Sequence, residues 1–157
     1  MVTICQLSPE SWQVYKKLRL ESITNDAQAF ADTYQETLHM PQEMWEERIQ
    51  NIWFAFIDDE PVGMIGLLQD TEFDKKQAYI VSFWVSPVHR QKGIGKKLIQ
   101  HLQEIALSRE IKKISLHVTV TQKPAIHVYE SCGFKIVDTL KEATKLDQHL
   151  MEWLNAQ

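Results

Sequence analysis

The sequence predicts one domain of mixed α and β structure, of the α+β or α/β class, built on a mixed β-sheet. The chain has 157 residues, 44% hydrophobic and 24% charged, which is typical of a single globular domain. Residues 53–68 have the pattern of a β-hairpin with a polar turn at 58–60. Residues 78–120 have a strand–helix–strand pattern, which favours two parallel strands with a right-handed crossover. No linker or repeat interrupts residues 1–157, so we expect one domain.

The first half of the chain is predicted to contain a strand, two helices and the hairpin. β-Branched residues indicate a strand over Val2–Leu7. A helix follows, because Ser8 can cap it and Pro9 fits its first position. Its apolar stripe is formed by Val14, Leu18, Leu20 and Ile23. The second helix begins at Pro41, and its predicted buried face is formed by Met44, Trp45 and Ile49.

The second half alternates between strands and helices. An apolar strand is predicted over Ala78–Val85, and a helix with apolar residues at helical spacing follows Gly93 and Gly95. The next strand covers Ile114–Val120, with Ser115, His117 and Thr119 on its polar side. A shorter helix covers Pro124–Ser131 and ends at Gly133, as helices commonly end at a glycine. The last two strands are predicted over Phe134–Leu140 and His149–Leu154.

Charge and composition argue against several classes of protein. The net charge of −4 does not provide the basic footprint that nucleic-acid binding needs. The longest apolar runs, such as Ile52–Ile57, have strand length, whereas a membrane span needs about 20 residues. The N-terminus shows neither the basic nor the apolar region of a secretory signal. Cys5 and Cys132 do not make a disulfide framework, so we expect a cytoplasmic protein with reduced thiols.

The charges are distributed unevenly along the chain. Residues 1–76 contain 14 acidic and 6 basic side chains, whereas residues 77–157 contain 7 acidic and 11 basic ones. Two interpretations stay open at this point: two solvated faces, or an anionic ligand held by the second half and a cationic ligand met by the first.

The segment from Val85 to Lys97 predicts an anion site of the pyrophosphate type. It leaves a buried strand and enters a helix, whose first amides lack an internal acceptor and whose dipole adds partial positive charge. Gly93 and Gly95 are expected to take positive φ and approach the ligand closely. The turn is surrounded by Arg90, Lys92, Lys96 and Lys97. A dinucleotide fingerprint and a Walker A loop both fail here, since Leu98 replaces the third glycine and Lys97 replaces Ser/Thr.

Two motifs resemble those of the GNAT superfamily of N-acetyltransferases. Arg90-x-x-Gly93-x-Gly95 resembles its [QR]-x-x-G-x-[GA] pyrophosphate loop. The second motif resembles the family's A-x-x-x-Y-E-x-x-G-F stretch and is formed by Ala125, Tyr129, Glu130, Gly133 and Phe134. The resemblance extends over nearly the whole chain, including the N-terminal pattern of Leu18-Arg19-Leu20, Ala29-Phe30, Trp45 and Arg48. It implies a central mixed, mostly antiparallel sheet of six to seven strands with about four helices, and acetyl-CoA as cosubstrate.

The resemblance also assigns cofactor contacts. The backbone at the end of the central strand, at Phe83, Trp84 and Val85, would meet the pantetheine amides. The pyrophosphate would be held by Arg90, Gln91, Lys92, Gly93, Ile94, Gly95 and Lys96. Gln122 stands where the family has an asparagine, which keeps the amide and adds a methylene. Tyr129 would protonate the departing CoA thiolate.

The resemblance does not supply a glutamate as the general base. Many members have a glutamate around positions 79–81, which here are Tyr79, Ile80 and Val81. In the branch that acetylates ribosomal-protein N-termini, a glutamate lies five residues before the asparagine, at the position of His117. Histidine suits a base at neutral pH, and the alternative is a hydrogen-bonded histidine on a strand. Phe30 and Tyr34 would either line the acceptor pocket or pack in the core.

These implications predict direct acetyl transfer from acetyl-CoA to a primary amine. The acceptor is either a small amine, such as a polyamine or aminoglycoside, or a peptide or protein amine. A non-catalytic acyl-CoA-binding regulatory module on the same fold is the alternative, because the strand glutamate is missing and Gln122 departs from the family pattern. The histidines show no zinc-binding spacing, so no metal is expected. Nucleic-acid and membrane partners are not expected either, and a homodimer is suggested by family analogy alone.

Overall fold

The computed structural model describes residues 1–27, 33–141 and 146–155. Within these ranges it contains seven strands and five α-helices. The strands are β1 (Val2–Cys5), β2 (Ile52–Ile57), β3 (Glu60–Gln69), β4 (Gln77–Val85), β5 (Lys113–Thr119), β6 (Lys135–Leu140) and β7 (Gln148–Leu154). The α-helices are α1 (Trp12–Asn25), α2 (Tyr34–Leu38), α3 (Gln42–Arg48), α4 (Ile94–Ser108) and α5 (Lys123–Ser131).

The seven strands form a mixed sheet in the order β1-β2-β3-β4-β5-β7-β6. β1–β2, β2–β3, β5–β7 and β6–β7 are antiparallel pairs. β4 and β5 are parallel, with Gln77 opposite Lys113 and Tyr79 opposite Ser115. The predicted fold class and the strand–helix–strand unit are therefore confirmed. The hairpin turn is also confirmed, because Asp58 and Asp59 both take positive φ, 48° and 65°, as a tight two-residue turn requires.

Several helix details differ from the sequence prediction. The short helix α2 was not predicted, because five residues are too few to show a period. Ser8 does precede a 3₁₀ turn that begins at Pro9, but its side chain makes no capping hydrogen bond. In α3 Trp45 is buried whereas Met44 is 37% exposed, so the prediction that Met44 lies on the buried face was wrong.

The described backbone groups into two compact units. One contains residues 1–66 and 82–98, and the other contains residues 67–81 and 99–157. The chain passes from one unit to the other inside β3, β4 and α4. That residues 1–157 form a single domain stays a prediction. In the described ranges, no helix has both the length and the apolar character that crossing a membrane requires.

The core of the first unit is rich in aromatic side chains. Tyr15 of α1 meets Trp45 of α3 edge to face at a centroid distance of 5.2 Å. Phe54 of β2 packs on the same tyrosine at 6.2 Å. Such edge-on pairs add directional preference to the burial of large apolar surfaces. The core cluster also contains Leu18, Ile49, Ile52, Met64 and Trp84.

In the second unit, β5 is buried at five of its seven positions, which lie on both faces of the strand. Ser115 and Thr119, which were predicted on the polar side, are only 4% and 5% exposed, whereas His117 between them is exposed. Phe134 packs between Tyr129 of α5, at a centroid distance of 5.7 Å, and Trp153 of β7, at 6.5 Å. The residue before Phe134 is Gly133, which follows α5 with φ of +93° and confirms the predicted helix end.

Replacing Gly133 by alanine should lower the free energy of unfolding by about 1–3 kcal/mol. An added Cβ would be strained by the positive φ and would lie 3.4 Å from Cδ1 of Trp153. Gly93→Ala is the matched control, since Gly93 also has positive φ, +79°, but its added Cβ would meet no described atom within 4 Å. Urea unfolding should show a loss at Gly133 at least as large as the loss at Gly93, because 3.4 Å is at the close limit of van der Waals contact. A smaller loss at Gly133 would contradict a destabilising contact between the new Cβ and Trp153.

Candidate active site

The loop between β4 and α4 has the backbone shape predicted for an anion site. The amide N–H of Ser86 donates to the carbonyl of Val62 at 2.8 Å, which fixes the point where the chain leaves β4. Gln91 and Gly93 take left-handed φ values of 63° and 79°. α4 begins directly after this turn, at Ile94, and the N–H of Lys97 donates to the Gly93 carbonyl at 3.1 Å. The amide N–H groups that precede Lys97 in the first turn of α4 have no acceptor within the helix.

Gly95 does not have the conformation predicted for it. It lies in the first turn of α4, and the left-handed positions of the loop are Gln91 and Gly93. An ideal Cβ on Gly95 would stand 3.0 Å from Cζ of Phe83. Glycine at this position therefore allows α4 to pack closely on the Phe83 ring, and a larger residue would disturb that packing before it affected any ligand.

Exposed lysines give the loop its positive charge. Lys92, Lys96 and Lys97 are all exposed, as is Gln91. Ile94 is 1% exposed, so this predicted cofactor residue anchors the helix start and can offer a ligand only its backbone. The space beside Gly93 is open among the described residues, and close approach of an anion to its backbone is sterically allowed there.

The Arg90 side chain, which was also predicted to contact the pyrophosphate, forms hydrogen bonds within the protein. Its Nε donates to the Val85 carbonyl at 2.9 Å, and its Nη2 donates to Oδ2 of Asp26 at 2.6 Å. The indole Nε1 of Trp84 donates to the same Asp26 oxygen at 2.8 Å. The Val85 carbonyl, one of the backbone groups predicted to meet pantetheine, therefore accepts a bond from Arg90. Sequence reasoning missed Asp26, because it follows α1 and lies 58 residues before Trp84 and 64 before Arg90.

Tyr129 lies on α5 and is 5% exposed. Burial raises the pKa of its hydroxyl well above its usual value. The group therefore stays protonated throughout the neutral range, which is the state that a proton donor needs. Its backbone carbonyl accepts from the Phe134 amide at 3.1 Å, so the residue is also part of the end of α5.

His117 and Gln122 lie in the same unit as Tyr129. His117 is exposed on β5 between the buried residues Leu116 and Val118. Gln122 occupies the position before α5, where its amide N–H donates to the Thr119 carbonyl at 2.9 Å and its carbonyl accepts from Ile126 at 3.0 Å. The Gln122 side chain makes no capping bond to the helix. The roles of both residues stay predictions.

Of the two aromatic residues predicted for the acceptor pocket or the core, the structure describes one. Phe30 lies outside the described residues. Tyr34 is the first residue of α2 and is 42% exposed, which argues against the alternative that it packs in the core. Among the described residues, no group of three or more His, Cys, Asp or Glu side chains could hold a metal ion.

Comparison with known proteins decides the family. A family model described as the acetyltransferase (GNAT) family matches residues 12–134. The chain belongs to the GNAT acetyltransferase family. The match confirms the family that the two motifs predicted.

Individual GNAT relatives are distant in sequence and close in fold. The chain is 29% identical over 103 residues to N-alpha-acetyltransferase 50 of Danio rerio, covering 62% of this chain and 61% of that protein's length. It resembles a GNAT-family acetyltransferase from Streptococcus pneumoniae with a TM-score of 0.85, 18% identity and coverage of 98% and 99%. It resembles PaiA N-acetyltransferase from Thermoplasma acidophilum, solved with coenzyme A, with a TM-score of 0.78, 21% identity and coverage of 99% of both chains. These structural likenesses establish the GNAT fold of this chain.

Proposed function

We propose that this protein is an acetyl-CoA-dependent N-acetyltransferase whose β4–α4 loop holds the pyrophosphate of the cosubstrate. The observation that carries the proposal is the left-handed turn at Gly93, which opens directly into α4 among three exposed lysines. A diphosphate fits such a loop, because the free amides, the helix dipole and the lysines all favour negative charge. The family match supplies the reaction class, and a cytoplasmic location stays a prediction.

The chain's own residues would divide the proton transfers of the reaction. Acetyl-CoA supplies the acyl group as a thioester, and the neutral acceptor amine forms the new C–N bond directly, without an acyl-enzyme. His117 would accept the proton that the amine releases, since free lysine-type amines have a pKa of about 10.4 and need a base. A backbone amide near Val85 would face the oxyanion. Tyr129 would donate its hydroxyl proton to the sulfur as the C–S bond breaks.

The charge distribution supports a cationic acceptor. Residues 1–76 carry 14 acidic against 6 basic side chains, so the first half attracts amines that arrive protonated. Polyamines, aminoglycosides, lysine side chains and peptide N-termini all have this chemistry. A panel with one member of each class, analysed by mass spectrometry for the acetylated product, should identify the class. Calorimetric binding of acetyl-CoA without any product across the panel would favour the non-catalytic acyl-CoA-binding module.

Replacing His117 by alanine should lower kcat/KM by about 100-fold if its imidazole is the base. The acid side of the pH–rate profile should change shape, and added imidazole should restore part of the rate. His127→Ala is the matched control, since His127 is an exposed histidine on α5 without an assigned role. A full rate and an unchanged profile in His117→Ala would return this residue to a structural role and leave a water chain as the base.

A further inference from the structure

One carboxylate joins three parts of the first unit beside the cofactor loop. Asp26 is the residue that follows α1, and its amide N–H donates to the Ser22 carbonyl at 2.8 Å. Its Oδ2 accepts from Nε1 of Trp84, at the end of β4, and from Nη2 of Arg90, at 2.8 and 2.6 Å. Arg90 Nη1 also lies 3.5 Å from Oδ1. We call Asp26, Trp84 and Arg90 the Asp26 cluster.

The Asp26 cluster is suited to holding geometry. The Trp84 side chain is part of the core and 4% exposed, so its indole N–H needs a hydrogen-bond acceptor. Because the ring is fixed by its packing, that acceptor must also keep a fixed position. The Asp26 and Arg90 side chains are 20% and 42% exposed, and ion pairs that are partly exposed to solvent contribute little to stability. Their shared bonds do fix the direction of the guanidinium, since arginine offers its donors as a rigid planar fork.

Arg90 is also the first residue of the Arg90–Gly93 turn. Its Nε bond to the Val85 carbonyl, at 2.9 Å, ties this turn back to β4, and Asp26 ties it to the end of α1. The next residue, Gln91, has a φ of 63°, a conformation that a non-glycine residue keeps only where its surroundings impose it. Fixing Arg90 on both sides supplies part of that constraint.

We propose that Asp26 is a positioning residue for the acetyl-CoA loop, holding Arg90 so that the Arg90–Gly93 turn is preorganised before the cosubstrate binds. The proposal rests on the proposed function. It differs from the family-based assignment of Arg90, because here Arg90 supports the loop from the protein side while its charge is balanced by Asp26. Preorganisation strengthens binding by reducing the ordering that binding would otherwise require.

The sign of one measurement separates this role from its alternative. If Asp26 positions the loop, Asp26→Asn should weaken acetyl-CoA binding. If Asp26 instead competes with the pyrophosphate for Arg90, the same substitution should free the guanidinium and tighten binding. Asparagine keeps the size of the side chain and removes its charge, so it tests the ion pair with little change in packing.

The experiment measures acetyl-CoA affinity by calorimetry and steady-state kinetics at saturating amine. For Asp26→Asn we expect Kd and the acetyl-CoA KM to rise about 10-fold while kcat stays within about two-fold, since only the binding loop is loosened. Asp147→Asn is the matched control, because it removes a carboxylate of similar exposure, 30%, from the ion pair with Lys141. It should leave Kd and KM unchanged.

Two further variants keep the test decisive if Asp26→Asn fails to fold. Asp26→Glu keeps the charge and displaces the carboxylate by one methylene, so it should also weaken binding. Arg90→Gln should weaken binding, and adding Asp26→Asn to it should cost nothing more, because the proposed effect of Asp26 on the loop passes through Arg90. Wild-type affinity in all three variants, or tighter binding in Asp26→Asn, would overturn the positioning role alone. A wild-type protein that does not bind acetyl-CoA would overturn the proposed function as well.

Discussion

Gly93→Asp should weaken acetyl-CoA binding by about 100- to 1000-fold. The new carboxylate would stand beside the backbone turn proposed to hold the pyrophosphate. Two like charges about 4 Å apart repel by about 4 kcal/mol at an effective dielectric constant near 20, and each tenfold change in affinity corresponds to about 1.4 kcal/mol. The fold should persist, since Gly93 is exposed and an added Cβ would meet no described atom within 4 Å.

Gly93→Asn isolates the charge from the shape in this experiment. Asparagine matches aspartate in size, and both tolerate the left-handed φ of +79° better than other residues do. We expect calorimetry to show at most about a tenfold loss for Gly93→Asn, well below the loss for aspartate, because only aspartate repels the diphosphate. Equal affinities for the two variants would contradict an anion at this turn. Gly95 is unsuitable for the same test, because a side chain there would press on Phe83.

Tyr129→Phe should lower kcat by about 10- to 1000-fold, which corresponds to about 1.4–4 kcal/mol of transition-state stabilisation. Phenylalanine keeps the ring that packs on Phe134 and removes only the hydroxyl donor. Acetyl-CoA affinity and the thermal midpoint should therefore change little. Tyr79→Phe makes the same substitution at a tyrosine that is 41% exposed and should retain the wild-type rate. Full kcat in Tyr129→Phe would remove this hydroxyl from the mechanism.

The pH dependence of stability tests whether the Tyr129 hydroxyl is buried in the folded protein. Because burial raises the pKa of Tyr129 in the folded state, the fold favours the protonated form. An unfolded tyrosine ionises near pH 10, so this contribution is complete below about pH 10 and is lost as the pH rises further. The thermal midpoint of the wild type should therefore fall more steeply above pH 10 than that of Tyr129→Phe, and parallel curves would contradict the buried environment.

Local patterns predicted much of this structure because they report on local physics. The hairpin, the α4 stripe and the end of α5 each depend on residues within a few positions of one another. The turn at Gly93 belongs to this class, and so does the family motif around it. The conformation of Gln91 could not be predicted in this way, because glutamine as a residue type does not favour its φ of 63°.

Contacts between distant residues could not be derived in this way. Asp26 is an ordinary acidic residue after a helix until the fold brings Trp84 and Arg90 to its carboxylate. Similarly, the Tyr15 hydroxyl and the Ser82 Oγ lie 2.9 Å apart although 67 residues separate them, and Ser82 takes a φ of 53° inside β4. A sequence pattern can indicate whether such side chains are exposed or buried. Only the tertiary structure shows which distant residues they contact.

The most direct test of acetyl transfer is thiol release from acetyl-CoA by the wild-type protein, followed with and without each amine of the panel. We expect thiol release that depends on an amine, saturates with it and yields one acetylated product per thiol. We also expect Gly93→Asp to lower the rate by raising the KM for acetyl-CoA, and Tyr129→Phe to lower it by reducing kcat. Thiol release that is absent with every amine, or that proceeds equally without one, would contradict the proposed function.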